Sequence, residues 1–449
     1  MPVIDEPQVR AATDLNLRRN VPQIVARDPA AETAALPGVL AEVQATADHQ
    51  LAEAVTLPAA AYTSEAFYRW EVDNVLRAEW QCVAHVSQLA EAGDFITLDL
   101  LGEPLIIVRG KDGAVRVLSR TCPHRGMDIM PPAFGHGPAE PREGPPGSGH
   151  TRLFLCPYHS WTFELDGRLK ACPEMHAACG FQRAEWGLRE FRTEVWHGFV
   201  FVNLDGKNAK TPGEQWADFG SHFEKWSAQD LVIVDARTWE CPFNWKVIVE
   251  NFMESYHHVG AHINSLQPMM PARDTWSEAE RPHGVRCHLP YGARERSAIT
   301  EAEAAGGVRE IFPLIPGLDE RSRFEWGLTL GFPSFLLAYV PDCLIWYRVF
   351  PEGPHRHTLL TTILVPRAVT RLPDFAARLA RGTAASVGFH LEDMEMCVGV
   401  QRGYYSGGYQ RGRLSHLEMP IWLFQRYLAA RARGTWPTLD RVPAPAQRA

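Results

Sequence analysis

The chain lacks several features that would assign it to a class at once. No apolar run reaches the ~18–20 residues that a membrane-spanning helix needs. The first twenty residues carry Asp5, Glu6, Arg10, Asp14, Arg18 and Arg19, so no secretory apolar core stands there. Positive charge is not in excess: Lys plus Arg number 45 against 53 Asp plus Glu, a formal net charge of −8. That balance argues against nucleic acid or an anionic membrane as the main partner. No Gly-x-Gly-x-x-Gly fingerprint occurs, which excludes a dinucleotide site of the Rossmann kind. No internal repeat is visible. With 45% apolar and 22% charged positions, disorder, collagen and coiled coil are excluded as well. The expectation is a soluble globular chain working in the cytoplasm.

At roughly 150 residues per domain, 449 residues make two or three domains with a core large enough to need no disulfides. The nine cysteines are then mostly small buried hydrophobes, and only the company of Cys122 and Cys156 sets those two apart. Residues 1–60 read as an N-terminal arm of short helices broken by prolines. A helical pattern runs from Tyr62 to Leu89, after which the period changes to two. Short strands near 95–98, 104–108, 115–118, 153–155, 162–165 and 198–202 indicate an all-β domain, assigned together with the preceding helix to 61–205. Eleven of the twenty residues from Pro131 to His150 are Gly or Pro, so 131–150 is a long loop. From 206 to 435 helical stretches (213–229, 244–259, 373–382, 385–405) mix with strand-like runs between 326 and 365. The fold class is therefore α+β: an all-β domain, then an α+β domain with a central antiparallel sheet, and a tail at 436–449.

Two loops of the β-domain carry metal-ligand chemistry. Cys122-Pro123-His124 and Cys156-Pro157-Tyr158-His159 each supply one thiolate and one imidazole. A structural zinc would take all four on one ion. A Rieske 2Fe–2S cluster would take two Cys on one iron and two His on the other. Zinc fingers keep their Cys pair and His pair on separate elements, whereas here each loop mixes the two, as a cluster straddled by two loops requires. Cys172 and His176 have no matching partner loop.

Cys-Pro-His-Arg-Gly followed by Cys-Pro-Tyr-His-x-Trp resembles the Rieske domain of the large (α) subunits of Rieske-type non-haem iron oxygenases. The chain departs in the 31 residues between His124 and Cys156, roughly twice the family's usual spacing. The excess falls in the Gly/Pro-rich stretch, where loop entropy grows only with the logarithm of length. Ser160 in place of the usual Gly reads as a minor change.

Downstream, Glu254, His257 and His262 form Glu-x2-His-x4-His. On a helix the two histidines would lie about 140° apart and share no face, so the helix is expected to loosen at Gly260. The segment resembles the family's catalytic motif, which implies that His257 and His262 bind a mononuclear iron. It also implies that Glu254 bridges to a Rieske histidine of the neighbouring subunit in a homotrimer. His258 is placed outside the ligand set. Leu391-Glu392-Asp393-Met394-Glu395 before Gln401-Arg402-Gly403 resembles the family's Glu-Asp segment leading into a turn, with Asp393 as the third ligand and Glu392 and Glu395 as the other acidic candidates.

The resemblance implies the oxygenase component of a multi-component system. Electrons would come from NAD(P)H through a separate reductase, directly or via a ferredoxin, and O2 would react beside a small-molecule substrate. Glu at 254 and the Asn244-Trp245-Lys246 lead-in are similar to members that hydroxylate or demethylate quaternary amines and small acids. Ring dihydroxylation to a cis-diol is the alternative, and a Rieske electron carrier or redox sensor is the reading from another class. The substrate pocket is expected within 265–360, where Phe312, Trp326, Phe332, Phe335, Tyr339, Trp346 and Tyr347 read as pocket or, more readily, as core.

Overall fold

The computed structural model describes residues 27–129, 147–278, 281–305 and 310–435. The first 26 residues of the expected arm, most of the expected loop at 131–150 and the tail at 436–449 lie outside the described residues. The chain divides into two compact units, Arg77–Ala217 and Met1–Leu76 with Asp218–Ala449.

Arg77–Ala217 is all-β. Its strands are β1 (Trp80–His85), β2 (Asp94–Leu100), β3 (Glu103–Arg109), β4 (Val115–Ser119), β5 (Ser148–His150), β6 (Phe154–Leu155), β7 (Thr162–Phe163), β8 (Leu169–Ala171), β9 (Glu190–Trp196) and β10 (Phe199–Asn203). They form an antiparallel sheet in the order β1-β10-β9-β4-β3-β2-β5 and a small sheet β6-β7-β8. The turn between β3 and β4 follows the sequence reading: Asp112 Oδ1 accepts the Ala114 N–H, and Gly113 takes a φ of 81° that favours glycine. The helix read over 62–89 is shorter. Trp80–His85 is a strand whose register runs from Trp80 opposite Asn203 to His85 opposite Phe199. Strand pairing and burial of Trp80 override a helix-like spacing of aromatics.

The larger unit holds a seven-stranded antiparallel sheet in the order β11-β17-β16-β15-β14-β13-β12. Its strands are β11 (Leu231–Cys241), β12 (Trp276–Ser277), β13 (Gly284–Pro290), β14 (Glu325–Gly331), β15 (Phe335–Val340), β16 (Cys343–Gly353) and β17 (Arg356–Pro366). Among its helices are α1 (Pro29–Thr46), α2 (Glu65–Glu71), α3 (Trp245–Met253), α4 (Phe375–Tyr404) and α5 (Met419–Ala432). Residues 27–76 belong to this unit, not to the β unit, so the division after Leu76 differs from the expected boundary at 61. The described part of the arm is firmly docked. Trp422 Nε1 on α5 donates to the His49 carbonyl and Gln44 Nε2 on α1 donates to the Ala432 carbonyl. Lys246 on α3 is wholly buried with its Nζ 2.7 Å from Glu71 Oε1 on α2, among the rings of Tyr62, Phe67 and Trp245. A buried charge needs such a partner.

The two helices expected at 373–382 and 385–405 are one, α4, of 30 residues. Gly382 does not break it. A side chain there would meet Ile311 Cγ2 at 3.1 Å, so glycine lets the helix approach its neighbour. The buried stripe His390, Asp393, Met394, Cys397, Gln401 and Tyr404 recurs at three- and four-residue steps. Gln401 is therefore in the helix rather than in a turn. Its Oε1 accepts the Asn244 N–H at the start of α3, which ties the two helices together.

Candidate metal centres

In the β unit, the segments carrying Cys122 and Cys156 fold alike. Cys122 N–H bonds the Met127 carbonyl and Gly126 N–H bonds the Cys122 carbonyl. Cys156 N–H bonds the Trp161 carbonyl and Ser160 N–H bonds the Cys156 carbonyl, at the same offsets. The fourth residue after each cysteine closes the turn with positive φ, 73° at Gly126 and 58° at Ser160. Both cysteines sit in the apolar core with Phe154, Trp161 and Phe163. The His124 and His159 rings meet edge to face at 4.6 Å, and Trp161 stacks on His124.

The donor set fits a cluster. The Nδ1 atoms of His124 and His159 are buried without a hydrogen-bond partner among the described residues, although buried polar atoms are otherwise paired. Burial, with Cys156 beside it, pushes the Cys122 thiol up to about 11, so a bound metal is what would stabilise the thiolate.

In the larger unit, α3 ends at Met253, before the histidines. The break comes at Glu254 and not at Gly260. Glu254 is extended, its Oε2 accepts the His257 N–H at 3.1 Å and its Oε1 accepts His257 Nδ1–H at 2.6 Å. A side chain that captures the next turn's N–H competes with helix continuation. His257 then lies on a 3₁₀ turn, Tyr256–Val259, and His262 follows in further turns. The angular conflict between the two histidines disappears because they never share a helix.

Asp393 comes in from α4. Its Oδ1 lies 3.0 Å from His262 Nε2 and 3.4 Å from His257 Nε2, and Asn251 Nδ2 donates to it at 3.1 Å. One ligand atom from each of His257, His262 and Asp393 falls within 4.8 Å of the others. Burial works against charge throughout, yet Glu254 and Asp393 carry the His257 ring up to about 10, and the two histidines hold Asp393 well below the usual carboxylate range. Glu392 Oε2 accepts His262 Nδ1–H at 2.6 Å. Three carboxylates around two imidazoles make a site for a cation, and two N with one O suit iron(II) with positions left open.

His258 donates Nδ1–H to the Met270 carbonyl, and burial followed by the neighbouring His257 pushes its pKa down to about 4. It lines the cavity and is not one of the three convergent residues. Glu395 is exposed. Sequence reasoning missed Asn251, Phe252 and Phe389. A polar residue three before Glu254 was the available signal for Asn251, and nothing marked the two phenylalanines. The half-open cavity beside the triad takes Trp326 and Tyr347 from the expected aromatics. Phe312, Phe332, Phe335, Tyr339 and Trp346 are buried core.

With this geometry in hand, the chain can be set against known proteins. The Rieske [2Fe-2S] domain matches residues 79–192, and the catalytic domain of ring hydroxylating alpha subunits matches 223–434. The carnitine monooxygenase oxygenase subunit of Acinetobacter pittii (strain PHEA-2) is 34% identical over 46% of this chain and 52% of its own length. The chain thus spans about half of that relative. The glycine betaine monooxygenase oxygenase subunit of Pseudomonas aeruginosa (strain UCBPP-PA14) is 26% identical over 80% of this chain and 85% of its own. A solved quaternary ammonium Rieske monooxygenase superposes with a TM-score of 0.70 at 26% identity, over 86% of this chain and 98% of that one. The iron–sulfur cluster and the mononuclear iron follow from the two matched domains. The chain belongs to the Rieske-type non-haem iron oxygenases, with the domain pair of their large (α) subunits.

Proposed function

We propose that the chain is the oxygenase component of a monooxygenase that hydroxylates or oxidatively demethylates a small organic substrate. The observation that carries this is the convergence of His257, His262 and Asp393 at the wall of an apolar cavity. Cys122, His124, Cys156 and His159 would hold the 2Fe–2S cluster, and His257, His262 and Asp393 the iron. Bound there, the two centres supply one-electron transfer and O2 activation. The protein's own part is to fix the donors and to give the substrate an apolar wall. Glu254 locks the His257 ring, Asn251 orients Asp393, and Leu266, Met270, Leu328 and Ile345 line the reaction space with apolar groups. Glu254 is also the proposed bridge to a Rieske histidine of the next subunit in a homotrimer. Its 2.6 Å contact with His257 Nδ1 supports that role, and inter-subunit electron transfer is described for the solved quaternary ammonium relative.

Electrons would come from NAD(P)H through a separate reductase, directly or via a ferredoxin, in the cytoplasm. Among the described residues no helix is long and apolar enough to cross a membrane. The names of the carnitine and glycine betaine relatives support monooxygenation, and Trp326, Tyr347, Phe252 and Phe389 around the cavity can face a methylated ammonium. The same apolar lining favours ring dihydroxylation as the second reading.

Metal and sulfide analysis, with NADH and O2 consumption over a substrate panel and a surrogate reductase, tests the proposal. Three irons and two sulfides per chain, falling to two irons in His257→Ala with loss of turnover, is the expected result. Two irons in both proteins would leave an electron carrier. Formaldehyde or a single hydroxyl in the product supports monooxygenation, and a cis-diol the second reading.

A further inference from the structure

Each of the two convergent histidines turns Nε2 toward Asp393 and Nδ1 toward a different carboxylate. For His257 that carboxylate is Glu254, three residues away. For His262 it is Glu392, at 2.6 Å and 130 residues further along the chain. Glu392 is itself braced, since Ser265 Oγ donates to the same Oε2. His262 is wholly buried while the Glu392 side chain keeps 38% exposure. The acid is therefore drawn inward to serve a ring N–H that has no access to water. An acidic residue on a helix is most often a solvated face, and the exposed Glu395, three residues on, fits that description. Glu392 does not.

We infer that Glu392 is a positioning residue for the mononuclear iron, acting through His262. Its carboxylate keeps the proton on Nδ1, which leaves the Nε2 lone pair for the metal, fixes the ring plane and strengthens the ring as a donor. Because Glu392 and Asp393 are consecutive on α4, one helix holds the metal twice, directly through Asp393 and indirectly through His262. The turns after α3 and the middle of α4 are thereby clamped together at the site. This inference rests on the reading of His262 as a ligand.

Co(II) titration of the chelator-stripped full chain, followed by visible absorption, separates the two. Wild type should bind one Co(II) at the mononuclear site. Glu392→Ala should bind it ~10–100-fold more weakly, the usual effect of losing such a partner. Glu392→Gln, which keeps an acceptor oxygen for Nδ1–H, should recover most of the affinity but shift the Co(II) bands, because the charge that strengthens His262 as a donor is gone. Ser265→Ala, which removes the brace and the hydroxyl's own 3.3 Å contact with His262 Nδ1 but keeps the Glu392 carboxylate, should fall between wild type and Glu392→Ala. The Rieske absorption and the thermal midpoint should stay at wild-type values in the Gln and Ser265 variants. Wild-type affinity and bands in both Glu392 variants overturn the inference while leaving the ligands in place. No Co(II) uptake by wild type overturns the ligand reading, and the inference with it.

Discussion

At the scale of single residues, the backbone conformation a side chain must adopt sets its cost as much as its chemistry does. Cys122, His124, Cys156 and His159 stand out by type and spacing. The change of the usual Gly to Ser160 looks minor until its φ of 58° is known. A non-glycine residue in the left-handed region is strained by about 1–2 kcal/mol, while glycine at the same place loses about 0.5–1 kcal/mol more chain entropy on folding. The first effect is the larger, so Ser160→Gly should stabilise the β unit by about 0.5 kcal/mol. Ser160→Val, with a β-branched side chain forced into that region, should destabilise it by more than 1 kcal/mol. Urea midpoints of the cluster-loaded protein, read by its visible absorption, check the order Gly, Ser, Val. A valine variant as stable as the glycine variant would contradict the strain assigned here.

At the scale of elements, the pattern of apolar residues found β14 to β17, several strands of the β unit and the existence of α3 and α4, but it passed over β9, β11 and β13 and misplaced the event that matters most. The sequence reading put the loosening of the helix at Gly260, the residue most permissive in itself. The structure puts it at Glu254, because a side-chain oxygen takes over the His257 N–H. Gly260 has a φ of −116°, and a methyl group placed on it would come no nearer than 3.9 Å to the His257 carbonyl. Glycine is thus not required there. Gly260→Ala should change stability by less than ~0.5 kcal/mol and leave iron content at the wild-type level. Iron analysis and a thermal midpoint on that one variant decide the matter. Loss of the mononuclear iron would return the hinge to Gly260. The bond between His262 and Glu392 lay beyond sequence reasoning for a different reason. It depends on how α4 packs across the unit, and no local spacing encodes it.

At the scale of the whole molecule, the larger unit buries ionisable groups whose demands on pH run in opposite directions. His357 and His390 are 2% and 1% exposed. Burial pushes both down to about 4, against the partial help of the Phe243 carbonyl for His357 and of Asp393 for His390. In the unfolded chain each titrates near 6.5. The unfolded state therefore binds more protons between those values, and the stability these two rings contribute is present above about 6.5 and lost as pH falls toward 4. Glu250 works the other way. Burial, opposed by Tyr62 and Lys246, raises it to about 7, so its contribution is present below the ordinary carboxyl range near 4.3 and lost as pH rises through 7. Taken by themselves, these two histidines against this one carboxyl make their joint contribution climb from acid to near neutral, at up to ~1.4 kcal/mol per pH unit for each proton difference. The components separate by substitution. In urea unfolding of the larger unit between pH 4.5 and 6.5, His357→Gln should show a shallower rise than wild type by about one proton's slope, and Glu250→Gln a steeper one. Parallel curves for all three proteins would mean that these groups titrate alike folded and unfolded, against the burial that holds His357 and His390 neutral.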